Sequence, residues 1–269
     1  MKVLKGGMLT IYALLVIIPI LAIFFTTFKS PNEMYENVLG LPSSFGFGNY
    51  AELFQSKSMT TYILNSVIVT LCSVAITLFF ASLIAYSVTR MTNWIGNTVF
   101  VLFTLGMMIP AQVNMSSLYN LMYSLGLTNS LAGLVIVNAA TTLPIAVFIL
   151  TGFMKSLPKT LFEAAMIDGA TNWGIFRKIA IPLSMPSLAA TSIFLFVMHW
   201  NDLFYPLLLI TDKQYKTLPL ALLEFQGEYI TNYPMLFTGV IIASAPMVIA
   251  YIFLQRYFIA GMTAGSVKG

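Results

Sequence analysis

Charge is what this sequence has least of: 8% of its 269 residues are Asp, Glu, Lys or Arg, against about 25% in a soluble globular domain. That shortage excludes a fold whose surface is solvated by water alone. Cysteine and histidine occur once each, as Cys72 and His199, which leaves no disulfide framework, no metal cluster and no clustered set of catalytic groups for a membrane enzyme. The chain also lacks a Gly-x-x-x-x-Gly-Lys-Ser/Thr phosphate loop, so it is not its own ATPase. Near the C-terminus Lys268 follows Gly265 too closely and has no hydroxyl residue after it. What is abundant is apolar, with 58% of residues hydrophobic. Such an excess calls for lipid around the core and for one membrane domain over residues 1–269.

The charges that remain are widely spaced. Between Lys5 and Lys29, Lys57 and Arg90, and Arg90 and Lys155 lie 23, 32 and 64 uncharged residues. Each gap exceeds the roughly 20 residues a helix needs to cross about 30 Å of hydrocarbon. The longest is interrupted by Ser124, Gly126, Thr128, Asn129 and Ser130, a turn-forming cluster that divides it into two spans. Residues 179–201 and 229–255 are uncharged as well. Six transmembrane helices are therefore expected, over 8–28, 62–87, 98–122, 131–153, 188–209 and 236–258. Helices are required because lipid cannot satisfy an unpaired strand, and the short alternating segments of a barrel are absent. The first span is too long for the apolar core of a cleaved signal peptide and ends in Phe-Phe-Thr-Thr-Phe, so it is expected to stay in the membrane.

Six spans place both termini on one side, together with Lys2, Lys5, Arg90, Lys155, Lys159, Arg177, Lys178, Arg256 and Lys268. Lys29, Lys57, Lys213 and Lys216 fall on the other. The excess of Lys and Arg marks the first side as cytoplasmic. The net charge of +4 thus follows topology, and no basic cluster suggests nucleic acid as a partner.

The longest loop on that side, residues 154–187, reads as two short helices. Pro158 suits the first turn of one that runs to about Asp168, and Gly169 suits the left-handed residue that closes it. Thr171 is a candidate N-cap for the second, which carries Phe176 and Ile179 on one stripe until Pro182 stops it. Small side chains at Ala164 and Ala165 permit another protein to approach closely.

Glu163-Ala164-Ala165, then Asp168-Gly169-Ala170, Phe176 and Ile179-Ala180-Ile181-Pro182 resemble the EAA loop of bacterial ABC importer permeases, and more narrowly the maltose-type second permease of the carbohydrate branch. Ile181 stands where that pattern usually has Leu. The resemblance implies an all-α type I importer permease fold whose 154–187 segment is the coupling helix, seated in a cleft of a cytoplasmic ATPase subunit. Glu163, Ala164, Ala165, Asp168, Gly169, Phe176, Ile179 and Pro182 are its candidate coupling residues, with Glu163 as polar anchor and Gly169 as bend. It also implies the partners: a second homologous permease, two ATPase subunits that hold ATP and Mg, and an external or periplasmic sugar-binding protein. The C-terminal stretch 261–269 is similar to the tail that reaches between the ATPases. No cofactor is expected in this chain, and its expected location is the bacterial cytoplasmic (inner) membrane.

Outside, residues 212–235 form a polar and aromatic loop. By resemblance Glu224, Phe225, Gln226, Gly227, Glu228 and Tyr229 are the scoop that enters the binding protein's cleft. A second external loop, 29–61, is expected to carry an interfacial helix around 50–54. Polar groups at membrane depth are costly and usually face a bundle's interior, so they are the first candidates for a solute path. Asn114, Asn138, Thr141, His199, Asn201, Asp202 and Tyr205 make up that set, with amides, a carboxylate and an aromatic face of the kinds that hold sugars. Amides also glue helices together, however, and His199 is expected to be a packing residue. An importer of a non-sugar solute would use the same coupling loop. An ion-coupled transporter would need a carboxylate near the midplane, and Asp202 alone comes close.

Overall fold

The computed structural model describes residues 2–38, 40–55, 57–91, 93–226 and 231–266, with side chains at positions 5–252 of these apart from 57 and 93. Among them every regular element is helical, and one isolated antiparallel bridge joins Gln226 to Thr231. In chain order the α-helices are α1 (Lys2–Thr26), α2 (Pro31–Glu36), α3 (Gly48–Gln55), α4 (Lys57–Arg90), α5 (Asn93–Gly106), α6 (Met115–Ser124), α7 (Leu131–Ser156), α8 (Lys159–Ile167), α9 (Asn172–Ile175), α10 (Ile181–Leu183), α11 (Met185–Trp200), α12 (Phe204–Leu209), α13 (Leu218–Leu222) and α14 (Tyr233–Ser266).

Four stretches are long and apolar enough to cross a bilayer unaided: Lys5–Thr26, Ser58–Arg90, Leu131–Ser156 and Tyr233–Ile252. Two further helix pairs are apolar enough only when taken together, and each is bent at a short break. Trp94–Gly106 meets Ala111–Ser124 at 83°, and Asn172–Leu183 meets Met185–Trp200 at 73°. Proline accounts for both breaks. Pro110 lacks an N–H and pushes the residue before it out of the helical region, so the chain restarts in a 3-10 turn at Ala111–Asn114. Pro186 stands at the start of α11 beside Ser184, which caps α10.

The expected span at 188–209 is also shorter than its apolar run. Its helix ends at Trp200, and a separate short helix, α12, follows. Pro206 is the reason, because within a continuous helix its ring would meet the carbonyl of Asp202. The Asp202 carboxylate instead accepts hydrogen bonds from the backbone N–H groups of Phe204 at 3.0 Å and Tyr205 at 3.3 Å and so starts α12.

The chain divides into two compact units. One comprises residues 65–215 and 247–269. Its core joins Ala81 and Ala85 of α4 to Ala146, Val147, Leu150 and Met154 of α7, with Phe162, Ile175, Phe176 and Leu195 around them. Alanines at these crossings let helix backbones come together, which is how helices pack where lipid offers no hydrophobic drive. Helix α7 lies between α5 and α11. It contains Pro144, and Gly106, the last residue of α5, faces that proline: a Cβ on Gly106 would lie 3.6 Å from Pro144 Cγ.

The other unit comprises residues 1–64 and 216–246. Phe28 gathers Phe24, Phe45, Phe47 and Tyr50 at ring-centroid distances of 5.2 to 6.0 Å. Beside them Lys29 is buried and donates to the carbonyls of Asn37 at 2.6 Å and Val38 at 3.3 Å. The amide of Asn49 on α3 donates to the carbonyls of Thr27 and Lys29. The most apolar stretch of α1 has no residue buried inside the chain.

Candidate functional site

The 154–187 segment is built around a tight reversal. Helix α8 begins after Pro158 and is closed by a Schellman turn: Gly169 N–H donates to Met166 O at 3.1 Å and Ala170 N–H to Ala165 O at 2.9 Å. Such a turn needs a left-handed residue past the helix end, and Gly169 supplies it with φ +80°. The Thr171 hydroxyl then caps α9 by accepting from the Gly174 N–H at 3.1 Å.

Pro182 does not stop the second helix, as its ring chemistry suggested. The chain stays helical through a π turn, Phe176–Ala180, and α10. In that turn Ile181 N–H reaches back five residues to Phe176 O, a wider ring that relieves the clash between Pro182 and the carbonyl of Lys178.

The segment has two faces. Inward, Phe162, Ile175, Phe176 and Ala180 are buried in the unit's core and Ile179 packs against it. Tyr86 of α4 meets Phe176 at 5.3 Å between ring centroids and donates its hydroxyl to Asn172 O at 3.3 Å. Arg90 lies over the Phe162 ring at 3.6 Å. Outward, Glu163, Ala164, Asp168 and Gly169 are exposed, with Ala165 half-buried. Met166 at 52%, Ile167 at 86% and Trp173 at 59% exposure make an apolar patch beside them. Glu163 and Ala164 thus face solvent, whereas Phe176 and Ile179 root the segment in the bundle. Pro182 lies in α10, just after the π turn.

The candidate path residues separate likewise. Asn138, buried on α7, lies beside Asp202, and Tyr205 lies beside Thr141. Asn138 Nδ2 and Asp202 Oδ2 are both buried without a well-formed hydrogen bond. His199 is buried, and its Nε2 is 3.4 Å from the Thr142 hydroxyl, which is also 3.4 Å from that of Thr77 on α4. Asn138, Thr141, His199, Asp202 and Tyr205 therefore gather along α7. Asn114 is exposed at the end of a 3-10 turn, and Asn201 is exposed and donates to Val197 O and Met247 Sδ.

Sequence reasoning missed the α4 side of this seam. Ser66, Thr70, Ser73 and Thr77 recur every three to four residues and are all buried, a helical stripe that spacing alone makes visible. It also missed the clamp made by Asn129, whose φ is +48°. Its Oδ1 accepts from Thr211 N–H at 2.6 Å, Thr211 Oγ1 at 3.1 Å and Asp212 N–H at 3.0 Å, while its Nδ2 donates to Thr211 Oγ1 at 2.9 Å.

In the 212–235 loop Glu224 pairs with Lys216 at 2.6 Å. Phe225 O accepts from Asn232 N–H at 3.1 Å, and exposed Gln226 bridges to Thr231. Gly227, Glu228 and Tyr229 lie outside the described residues.

Residues 78–264 match the model of a family described as binding-protein-dependent transport system inner membrane component. Among similar proteins is the arabinooligosaccharides transport system permease protein AraQ of Halalkalibacterium halodurans, 35% identical over 96% of this chain and 93% of that one. Another is the melibiose/raffinose/stachyose import permease protein MelC of Bacillus subtilis, 34% identical over 94% and 91%. In three dimensions the chain is similar to one from a bacterial ABC transporter involved in the import of the acidic polysaccharide alginate. The TM-score there is 0.83, with 22% identity and 96% of both chains covered, a likeness that carries the fold.

Proposed function

The chain belongs to the family of binding-protein-dependent transport system inner membrane components, and from that premise we propose that it is a permease subunit of an ATP-driven importer of oligosaccharides. Relatives spanning nearly its whole length carry the names of arabinooligosaccharide and raffinose-type permeases, which supports a neutral sugar as the solute. In the bacterial inner membrane it has six spans, one of them the bent pair of Trp94–Gly106 with Ala111–Ser124 and one beginning at Met185, after the cytoplasmic 154–187 segment, and both termini are cytoplasmic. A second permease, two ATPase subunits that bind ATP and Mg, and an external sugar-binding protein complete the assembly. The chain itself catalyses no covalent step.

One observation carries the mechanism: the two-faced 154–187 segment. Its outer face offers Glu163, Ala164 and the apolar patch of Met166, Ile167 and Trp173 to an ATPase cleft. Its inner face is locked to α4 and α7 through Phe162 and Phe176. Closure of the ATPases around ATP pushes the outer face, and the inner face passes that displacement to the helices. The seam of Asn138, Thr141, Asp202 and Tyr205 supplies the polar surface that a sugar meets on its way through. Asp202 is engaged in starting α12, which argues against a proton-relay role and hence against ion-coupled transport.

Copurification tests the assignment. The tagged chain is expected to retain a second permease and an ATPase, and sugar binding by the external protein separates an oligosaccharide importer from one for another solute. Glu163→Lys is expected to abolish uptake while membrane insertion stays normal. Wild-type uptake in that variant, or a complex without an ATPase, would overturn the reading.

A further inference from the structure

At the end of the 65–215 unit that carries α8, the α4–α5 junction, the last turn of α7 and the first turn of α8 line an open pocket of about 890 Å³. Arg90, Lys155 and Lys159 line it, and no Asp or Glu does. The ion pair found among the described residues lies elsewhere, at Lys216 and Glu224, so none of the three cations has a described carboxylate within salt-bridge distance.

Two of the cations are held by ring faces. The Arg90 guanidinium is 3.6 Å from the Phe162 centroid and 5.7 Å from that of Tyr86, and Lys155 Nζ is 4.7 Å from that of Phe100. Stacking of this kind fixes the charge while leaving N–H edges free to donate, and a guanidinium edge matches phosphate oxygens. Asn97 adds a neutral donor, and Trp94, 73% exposed, stands at the rim. An exposed indole at a helix end sits at headgroup depth in a bilayer.

We propose that this pocket binds the phosphate headgroup of an anionic phospholipid. Continuity with an apolar stripe favours a lipid over an acidic protein loop. From the rim, Ile95, Leu102 and Leu105 run exposed along α5 at helical spacing, a track for an acyl chain below the charged pocket. A basic pocket between helix ends on the cytoplasmic side is the kind of place where such headgroups dock. That the lipid comes from the cytoplasmic leaflet rests on the orientation proposed above. Because Lys159 and Phe162 sit on α8 with Glu163, the bound lipid touches the element that receives force from the ATPase, and transport becomes sensitive to anionic lipid.

Native mass spectrometry of the purified assembly, exchanged into phosphatidylcholine with or without phosphatidylglycerol, tests the site. Phosphatidylglycerol is expected to be retained selectively, and Lys155→Gln and Lys159→Gln each to lower its retention about fivefold. Arg90 is left in place because it also packs on Phe162. Equal retention of both lipids, unchanged retention in the double variant, or photo-cross-linking from position 159 that captures an ATPase subunit instead of lipid would overturn the proposal. Labelling of Lys159→Cys by an impermeant thiol reagent, in a Cys72→Ser background, reads the orientation separately. Labelling from outside the cell would sink the topology while lipid retention still decided the site.

Discussion

Single residues do the fixing where helices end. Asn129 accepts left-handed backbone strain and in return makes four hydrogen bonds to Thr211 and Asp212. Asn129→Ala is expected to lose about 2 kcal/mol of stability, seen as a lower thermal midpoint in detergent. Asn129→Asp should lose less, because its carboxylate still accepts from Thr211 and Asp212. Gly169 is a matter of backbone and not of space, since a Cβ there would meet nothing within 4 Å at φ +80°. Gly169→Val therefore introduces about 1–2 kcal/mol of strain in the bend, and reduced uptake with normal insertion is the expected result.

In the 29–61 loop the Glu33 carboxylate accepts from the Ser43 N–H at 2.5 Å, the main reason its pKa lies below the ordinary 4.5. A depressed carboxylate supports its loop above the ordinary value and ceases to as pH falls through the lowered one. Exchange of the Ser43 amide is thus expected to stay slow at neutral pH and to lose its protection in strong acid. A Glu33→Gln protein would show no such transition.

At the scale of elements, apolar run length and proline placement explain what could be read in advance. Uninterrupted runs became α1, α4, α7 and α14, and the Gly169 and Thr171 punctuation lies within two residues of the bounds of α8 and α9. The breaks were harder, because Pro110, Pro182, Pro186 and Pro206 look alike in a sequence and act differently. Pro110 and Pro186 stand at bends, Pro206 restarts a helix behind an Asp cap, and Pro182 is absorbed by a π turn. Which outcome prevails depends on packing, here the burial of Phe176 and Ala180 on α4 and α7. For the same reason Phe176 and Ile179 read as docking residues although they point into the bundle. Pro182→Ala restores an N–H and lets the turn tighten to the α register, which rotates Phe176 away from Tyr86. The expected phenotype is an assembled complex that still hydrolyses ATP but takes up several-fold less sugar, measured side by side in proteoliposomes.

For the whole molecule, the proposed orientation and the proposed ATPase-facing surface rest on positive residues and a Glu-Ala-Ala run that are local in sequence. The interior seam was only half legible. Asn138 and His199 stand out as rare polar residues in apolar surroundings, whereas the hydroxyls of Ser73 and Thr77 are common in spans and gain meaning only beside Val135 and Thr142. The bare flank of α1 belongs to this scale too: with its apolar stretch unburied within the chain, it offers a long apolar surface.

Gly106 and Pro144 bring two interruptions side by side. Helix α5 ends at the first, and α7 forgoes a backbone hydrogen bond at the second. Below Pro144 lie the contacts with the 154–187 segment, from Ala146 to Met154, and above it lie Asn138 and Thr142. A protein that must alternate between two openings has its softest joint where both neighbouring rods are already cut, so the ends of α7 can tilt independently about that point without tearing an intact hydrogen-bond ladder.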